Sequence, residues 1–270
     1  VFIFGGIATI LTDELDPRGD KLRALVYRDT VEEYDPVTNQ WEIRGKMNVP
    51  RWKHTATLLQ NGKILIVGGQ NDSGILDSAE IFDPVNGEFE KVDNMIVQRS
   101  DHAALLLNDG DILIVGGTDN TTAIYDHISN TWKSAAKLTI NLARPHAVVL
   151  QNGFVLVVGG YSDGISRSES YMYIPKQDIW TKLESLPDAV ADGSLTVLNN
   201  GDALVTTHVS NSTYIFEMST QKYKSAGEMV NSLKGPAVVL LNNGVQVLVT
   251  GGEQRNYGIT NKSEIFSYKE

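Results

Sequence analysis

The sequence predicts an all-β chain built by repetition, with four-stranded antiparallel sheets in a radial or stacked arrangement. Three observations predict it: a motif recurring with a period in the forties, four strand-like runs in each recurrence, and no stretch with helical periodicity.

The unit is clearest at residues 61–95. Asn61-Gly62 is the dipeptide that a two-residue type I′ hairpin wants, because both central residues need positive φ. Residues 63–67 form a short apolar run suited to a strand buried on both faces. Gly68-Gly69 ends that run where the backbone needs a conformation or a close approach that a Cβ would block. A third strand at residues 79–82 is halted by Asp83-Pro84, since proline lacks the N–H that a ladder requires. Asn86-Gly87 turns the chain again, and Phe89 opens a fourth strand.

Counting tests the repeat. An aromatic residue ends the third strand at Tyr34, Phe82, Tyr125, Tyr173 and Phe216, and seven residues later stand Trp41, Phe89, Trp132, Trp180 and Tyr223. Six residues further come Met47, Met95, Leu138, Leu186 and Met229. Both aromatic series are expected in the core. Diglycines stand at Gly5-Gly6, Gly68-Gly69, Gly116-Gly117, Gly159-Gly160 and Gly251-Gly252, with Thr207-His208 in the remaining slot. Six units are visible.

An apolar strand followed by a diglycine, a Tyr-Asp-Pro and a Trp resembles the kelch repeat over essentially the whole chain, and residues 59–69 and 79–84 look most like the central domain of galactose oxidase. The Trp-Asp dipeptide of WD40 blades and the Ser-x-Asp-x-Gly-x-Thr-Trp box of sialidases are absent. The resemblance implies a single domain, a six-bladed β-propeller with strands a to d from axis to rim and blades near residues 1–50, 51–98, 99–142, 143–190, 191–233 and 234–270. Read so, the first blade lacks strand a and the last lacks strand d, giving 22 strands where a closed ring needs 24. An upstream segment is expected to supply the other two, and the module to belong to a larger chain or assembly.

Composition narrows the function. The chain has no cysteine, which excludes disulfides, zinc thiolate sites and thiol nucleophiles, and with them the Cys-Tyr crosslink on which the copper-radical chemistry of galactose oxidase depends. A net charge of -10 disfavours nucleic acid, whose binding rests on Lys and Arg neutralising phosphates. No apolar run approaches the roughly 18 residues that span a bilayer, so no membrane insertion is expected. Sequons at Asn71, Asn120, Asn211 and Asn261 are about as many as chance gives and fix no compartment.

Two regions depart from the average unit. Residues 7–28 form the one long insertion, expected as a solvated acidic loop; Asp13, Glu14, Asp16 and Asp20 are the oxygen ligands that a calcium reading would use, but they miss the EF-hand spacing. In the fifth unit, Thr207 replaces a glycine, which implies an altered backbone there, and His208 becomes a candidate titratable group.

The best candidate site lies where strand a begins. Arg51-Trp52-Lys53-His54, Arg99-Ser100-Asp101-His102 and Arg144-Pro145-His146 start three successive strands, and because a runs antiparallel to b, these starts share an end with the diglycines. Arg51, Trp52, His54, Arg99, Asp101, His102, Arg144, His146 and His208 are therefore the expected binding residues. Kelch domains are similar in presenting the d–a and b–c loops on one face that grips protein partners or ligands. A residue recurring once per blade also fits a structural job, such as satisfying a backbone carbonyl at the channel mouth. Metal binding by the histidines is not expected, since neighbouring sheets pack about 10 Å apart, and no cofactor or catalytic acid–base pair is identified. The reading is a non-catalytic module that binds a protein or a glycan; the alternative is a carbohydrate-active propeller resembling the sialic acid mutarotases or a lectin, with arginines holding a sugar carboxylate.

Overall fold

The computed structural model describes residues 1–15, 21–241, 246–254 and 258–268. Among these residues there is no helix, and six principal antiparallel sheets follow one another along the chain. Four have four strands in sequence order, and the first and last have three. The third sheet shows the pattern: His102–Leu106, Ile112–Gly116, Thr122–Asp126 and Thr131–Ala135 are its strands a to d, each paired with the next.

The sheets stand radially. Strands Thr55–Leu58, His102–Leu106, His146–Val149, Ser194–Val197 and Ala237–Leu240 are the first of their sheets, and each lies against its successor, so these strands surround a common axis. Every residue of the b strands Ile64–Val67, Ile112–Gly116, Val155–Val158 and Ala203–Thr206 is buried, because each is paired on both edges and covered on both faces by neighbouring sheets. That is why these strands read as unbroken apolar runs instead of alternating ones.

The two aromatic series divide. Phe82, Tyr125, Tyr173 and Phe216 on strand c are fully buried. Their partners on the outermost strand are only part-buried, with Trp41 half exposed, and stack tilted on the c-strand rings at centroid distances of 4.8 to 5.2 Å. The expectation that both series are core holds for four members of the first alone, Tyr34 being part-buried. The outer tryptophans act across sheets: Trp132 Nε1 donates to Asp93 O at 2.7 Å and Trp180 Nε1 to Ala136 O at 2.9 Å, each on the preceding sheet.

Of the expected loop at 7–28, residues 7–15 and 21–28 are strand. Strands Phe2–Leu15 and Lys21–Asp35 continue past the diglycine as one long antiparallel ribbon, paired from Phe2↔Glu33 to Leu15↔Lys21. Asp16 and Asp20 of the calcium reading lie outside the described residues. The equivalent excursions in three other sheets pair two-residue strands, Gln70–Asn71 with Gly74–Ile75, Tyr161–Ser162 with Ile165–Ser166 and Glu253–Gln254 with Gly258–Ile259.

Candidate functional site

The diglycine builds the mouth of the channel. Gly69 N–H donates to Arg99 O of the next sheet at 2.7 Å; Gly6, Gly117 and Gly160 do the same to Arg51, Leu142 and Val190, at 2.9, 2.7 and 2.6 Å. At Gly68, φ is +60° and an added Cβ would strike that same Arg99 carbonyl; at Gly69, φ is +93° and the Cβ would lie 2.6 Å from Trp52 O of its own sheet. Both glycines are required, one by each neighbour. Thr207 and His208 are not among the residues with positive φ, so the fifth sheet has left this conformation, as the threonine implied.

These stitches set the correspondence between sheets, and it differs from the one expected from the sequence. Arg51 and Arg99 are equivalent, but their counterparts further on are Leu142 and Val190, not Arg144. Arg51 and Arg99 are also buried, with 0% and 1% of their surface exposed. Arg51 Nη1 donates to Gly68 O at 2.6 Å and Ser78 O at 3.0 Å, and its Nη2 meets Glu80 at 2.9 Å; Arg99 Nη1 donates to Gly116 O and Thr121 O, both at 2.9 Å. Both guanidinium groups satisfy carbonyls of their own sheet and are turned away from any partner, because a buried cation persists only where such acceptors surround it.

Arg144 belongs to a different series. Lys53, Asp101 and Arg144 occupy equivalent positions two residues later, at φ of +56°, +54° and +51°, with Gly235 at +62°. Asp101 N–H donates to Lys53 O at 3.1 Å, Arg144 N–H to Asp101 O at 2.6 Å, and Gly235 N–H to Asp192 O at 2.7 Å, stitching neighbouring sheets around the mouth. The side chains follow the backbone. Lys53 Nζ lies 2.7 Å from Asp101, Arg144 Nε 3.0 Å from Asp101, Arg144 Nη1 3.5 Å from Asp192, and Lys234 Nζ 3.6 Å from Asp192. The result is a belt of alternating charge, three cations against two carboxylates, crossing five successive sheets. Tyr161 closes onto it, its hydroxyl donating to Asp192 at 2.5 Å. Burial pushes the Asp192 carboxyl up, but Tyr161, Lys234 and Arg144 together hold it below the usual carboxylate range. Trp52 forms a ledge beside the belt, with Lys53 Nζ 4.6 Å over its ring and Tyr27 of the long ribbon 6.5 Å away.

A family profile described as the KLHDC2/KLHL20/DRC7 Kelch-repeats domain matches residues 1–205. The chain belongs to the kelch-repeat family. A solved structure titled "Structure of YjhT" has a similar fold, with a TM-score of 0.70 and 14% identity over 91% of this chain and 93% of that one. Curated protein sequences gave no match.

In this kelch propeller the histidines lie below the belt. Burial first, and then the charge of Arg51, lowers His54 to about 4; burial, with Arg99 and His54 beside it, lowers His102 to about 3. Thr55 Oγ1 lies 2.8 Å from His102 Nε2, and His146 Nε2 lies 3.2 Å from Ala191 O. His146 is also lowered, chiefly by burial. These rings are neutral wall, not an exposed cluster; His208 is part-buried on the fifth sheet, where its carbonyl accepts from Ser232. No group of three or more metal-ligating side chains stands among the described residues.

Of the nine expected binding residues, Trp52, Asp101 and Arg144 are the ones on the belt or its ledge. Lys53, Asp192, Lys234 and Tyr161 complete it and were not expected. The signal for Lys53 and Asp192 lay in the position two residues after the diglycine's partner, which puts Lys53, Asp101, Arg144 and Asp192 in one column whatever their residue types; Lys234 and Tyr161 stand outside that column.

Proposed function

We propose that this kelch propeller is a non-catalytic recognition module, of six blades in one domain, that holds a protein or glycan partner on the channel-mouth face. The observation that carries the reading is the alternating belt of Lys53, Asp101, Arg144, Asp192 and Lys234. Lys53, Arg144 and Lys234 reach water, and ion pairs at such side chains contribute only about 0–1 kcal/mol each to stability, although Asp192 itself is buried; alternating charge ordered across five sheets is the kind of arrangement that steers and selects partners. The half-exposed Arg144 and Lys234 and the Trp52 ledge supply the accessible part.

Immobilised protein, exposed to an extract of its source cells and read by quantitative mass spectrometry, is expected to capture a partner that the Lys53→Ala, Arg144→Ala variant loses at unchanged melting temperature. Retention by that variant would exclude the belt. The second reading, an acidic-sugar site of mutarotase or lectin type, draws on Arg144; but that guanidinium already faces two carboxylates, so an incoming anion must displace one. Mutarotation of an acidic sugar by the pure protein would favour it.

A further inference from the structure

We infer that the end of the propeller opposite the mouth carries a second site, a cleft between the third and fourth sheets that binds a neutral pyranose. The inference starts from a break in the repeat. In each four-stranded sheet one residue follows the glycine of the a–b turn and stands beside the start of the c–d turn. In three of them it is charged and tied to that turn: Lys63 lies 3.6 Å from Asp83, Asp111 accepts from His127 N–H at 3.3 Å and holds its ring at 3.0 Å, and Asp202 accepts from Met218 N–H at 3.0 Å. In the fourth sheet the residue is Phe154, and the turn opens with Ile174-Pro175 in place of the capping carboxylate seen at Asp83 and Asp126.

Where the polar tie is lost, a cleft of about 470 Å³ opens. Phe154 and Pro175 form its apolar lining, and Asn108, Asn152, Gln177 and Asp109 bring polar groups to it. Gly153 makes room for one wall: at φ +82°, a Cβ there would meet Asn108 Nδ2 at 2.7 Å. The size falls within the range of about 300–1,000 Å³ typical of small-molecule sites. Amides both donate and accept, and a carboxylate accepts from two hydroxyls, which is the inventory that sugar hydroxyls match. The pyrrolidine ring, with the part of the phenyl ring not packed into the core between the fourth and fifth sheets, offers the apolar surface on which a pyranose lays its C–H face. Lys176 and Asp109 both line the cleft and offset one another, so an anionic ligand gains no net local attraction and meets a protein of net charge -10; a purely apolar one would leave the amides unpaired, at a cost.

The test is saturation-transfer NMR of the full chain with methyl glycosides of neutral hexoses and N-acetylhexosamines. At least one is expected to receive saturation on its ring protons, with Kd raised about two- to tenfold by Gln177→Ala, the loss of a hydrogen bond, and with binding abolished by Phe154→Asp, the residue type found at Asp111 and Asp202. Gln177 lies at an exposed turn, and its variant is expected to melt like the parent, so the test stands even if Phe154→Asp fails to fold. Silence across the panel overturns the inference. So does saturation that survives Gln177→Ala unchanged, or saturation lost instead in the Lys53→Ala, Arg144→Ala mouth variant.

Discussion

At Gly68 two demands coincide: a left-handed backbone and the carbonyl of Arg99 where a side chain would begin. Gly68→Ala is expected to destabilise by about 2–4 kcal/mol, the conformational penalty plus the strain of displacing a neighbouring sheet. Gly62→Ala isolates the first term, because φ is +83° there but nothing lies within 4 Å; it should cost about 1–2 kcal/mol, and equal midpoints in chemical denaturation would refute the close-approach account. The diglycine was legible in sequence because no other residue type meets both demands. Arg51 and Arg99 were not, since their partners at Gly68, Ser78, Gly116 and Thr121 include main-chain carbonyls that no side-chain pattern announces. The histidines yield a pH prediction. His102 is held at about 3 and His54 at about 4 in the folded chain, against about 6.5 unfolded. The unfolded state therefore takes up protons first as pH falls below about 6.5. Stability is full above that value and declines toward the folded values, by up to about 1.4 kcal/mol per pH unit for each histidine. His102→Gln should flatten the fall in melting temperature between pH 7 and 5.

On the scale of elements, the sheets solve one problem in two ways. In the second sheet, Arg51 is paired with Glu80 in the interior, and Glu80 also accepts from Asn48 N–H at 2.9 Å and Asn48 Nδ2 at 2.8 Å. The fourth sheet puts Leu142 and Tyr171 in those two places, both buried in one apolar cluster, with Thr139 donating to the tyrosine hydroxyl at 3.2 Å. Arg51→Leu alone leaves the Glu80 carboxylate buried and without its cation, an expected loss of about 3–5 kcal/mol. Adding Glu80→Tyr imports the fourth sheet's pair and should recover most of it; strict additivity of the two changes in a double-mutant cycle would contradict the correspondence drawn here. The strands themselves were readable, because burial on both faces writes a continuous apolar run. The long ribbon was misread as a loop: acidic residues at 13, 14, 16 and 20 outweighed the apolar runs at 7–11 and the turn residues at 17–19, which together are a hairpin signal. Its pairing from Gly6↔Arg28 to Leu11↔Arg23 carries Tyr27 to the Trp52 ledge, so the insertion reaches the candidate site as ordered strand.

For the whole molecule, the question is whether sheets that repeat also unfold one by one. In an open repeat array each unit touches only its neighbours, and stability can be lost piecemeal. Here the seams are dense: four of the five diglycines donate across one, Trp132 and Trp180 each close one at the rim, and the belt links the mouth. More weighty is the burial of the b strands, since removing one sheet strips an apolar face from the sheets on both sides. At about 25 cal/mol per Å² of apolar surface exposed, even a few hundred Å² uncovered on each neighbour outweighs the total stability of an ordinary domain, about 5–15 kcal/mol. Unfolding is therefore expected as a single transition. Tryptophan fluorescence, which samples Trp41, Trp52, Trp132 and Trp180 on the first four sheets, should give the same urea midpoint as far-ultraviolet circular dichroism, which samples all of them. Trp180→Phe, which keeps the ring on Tyr173 and removes the bond to Ala136 O, should lower that midpoint by the equivalent of about 1 kcal/mol with the slope unchanged. A reduced slope, or fluorescence falling before circular dichroism, would mean that the seam between the third and fourth sheets opens on its own.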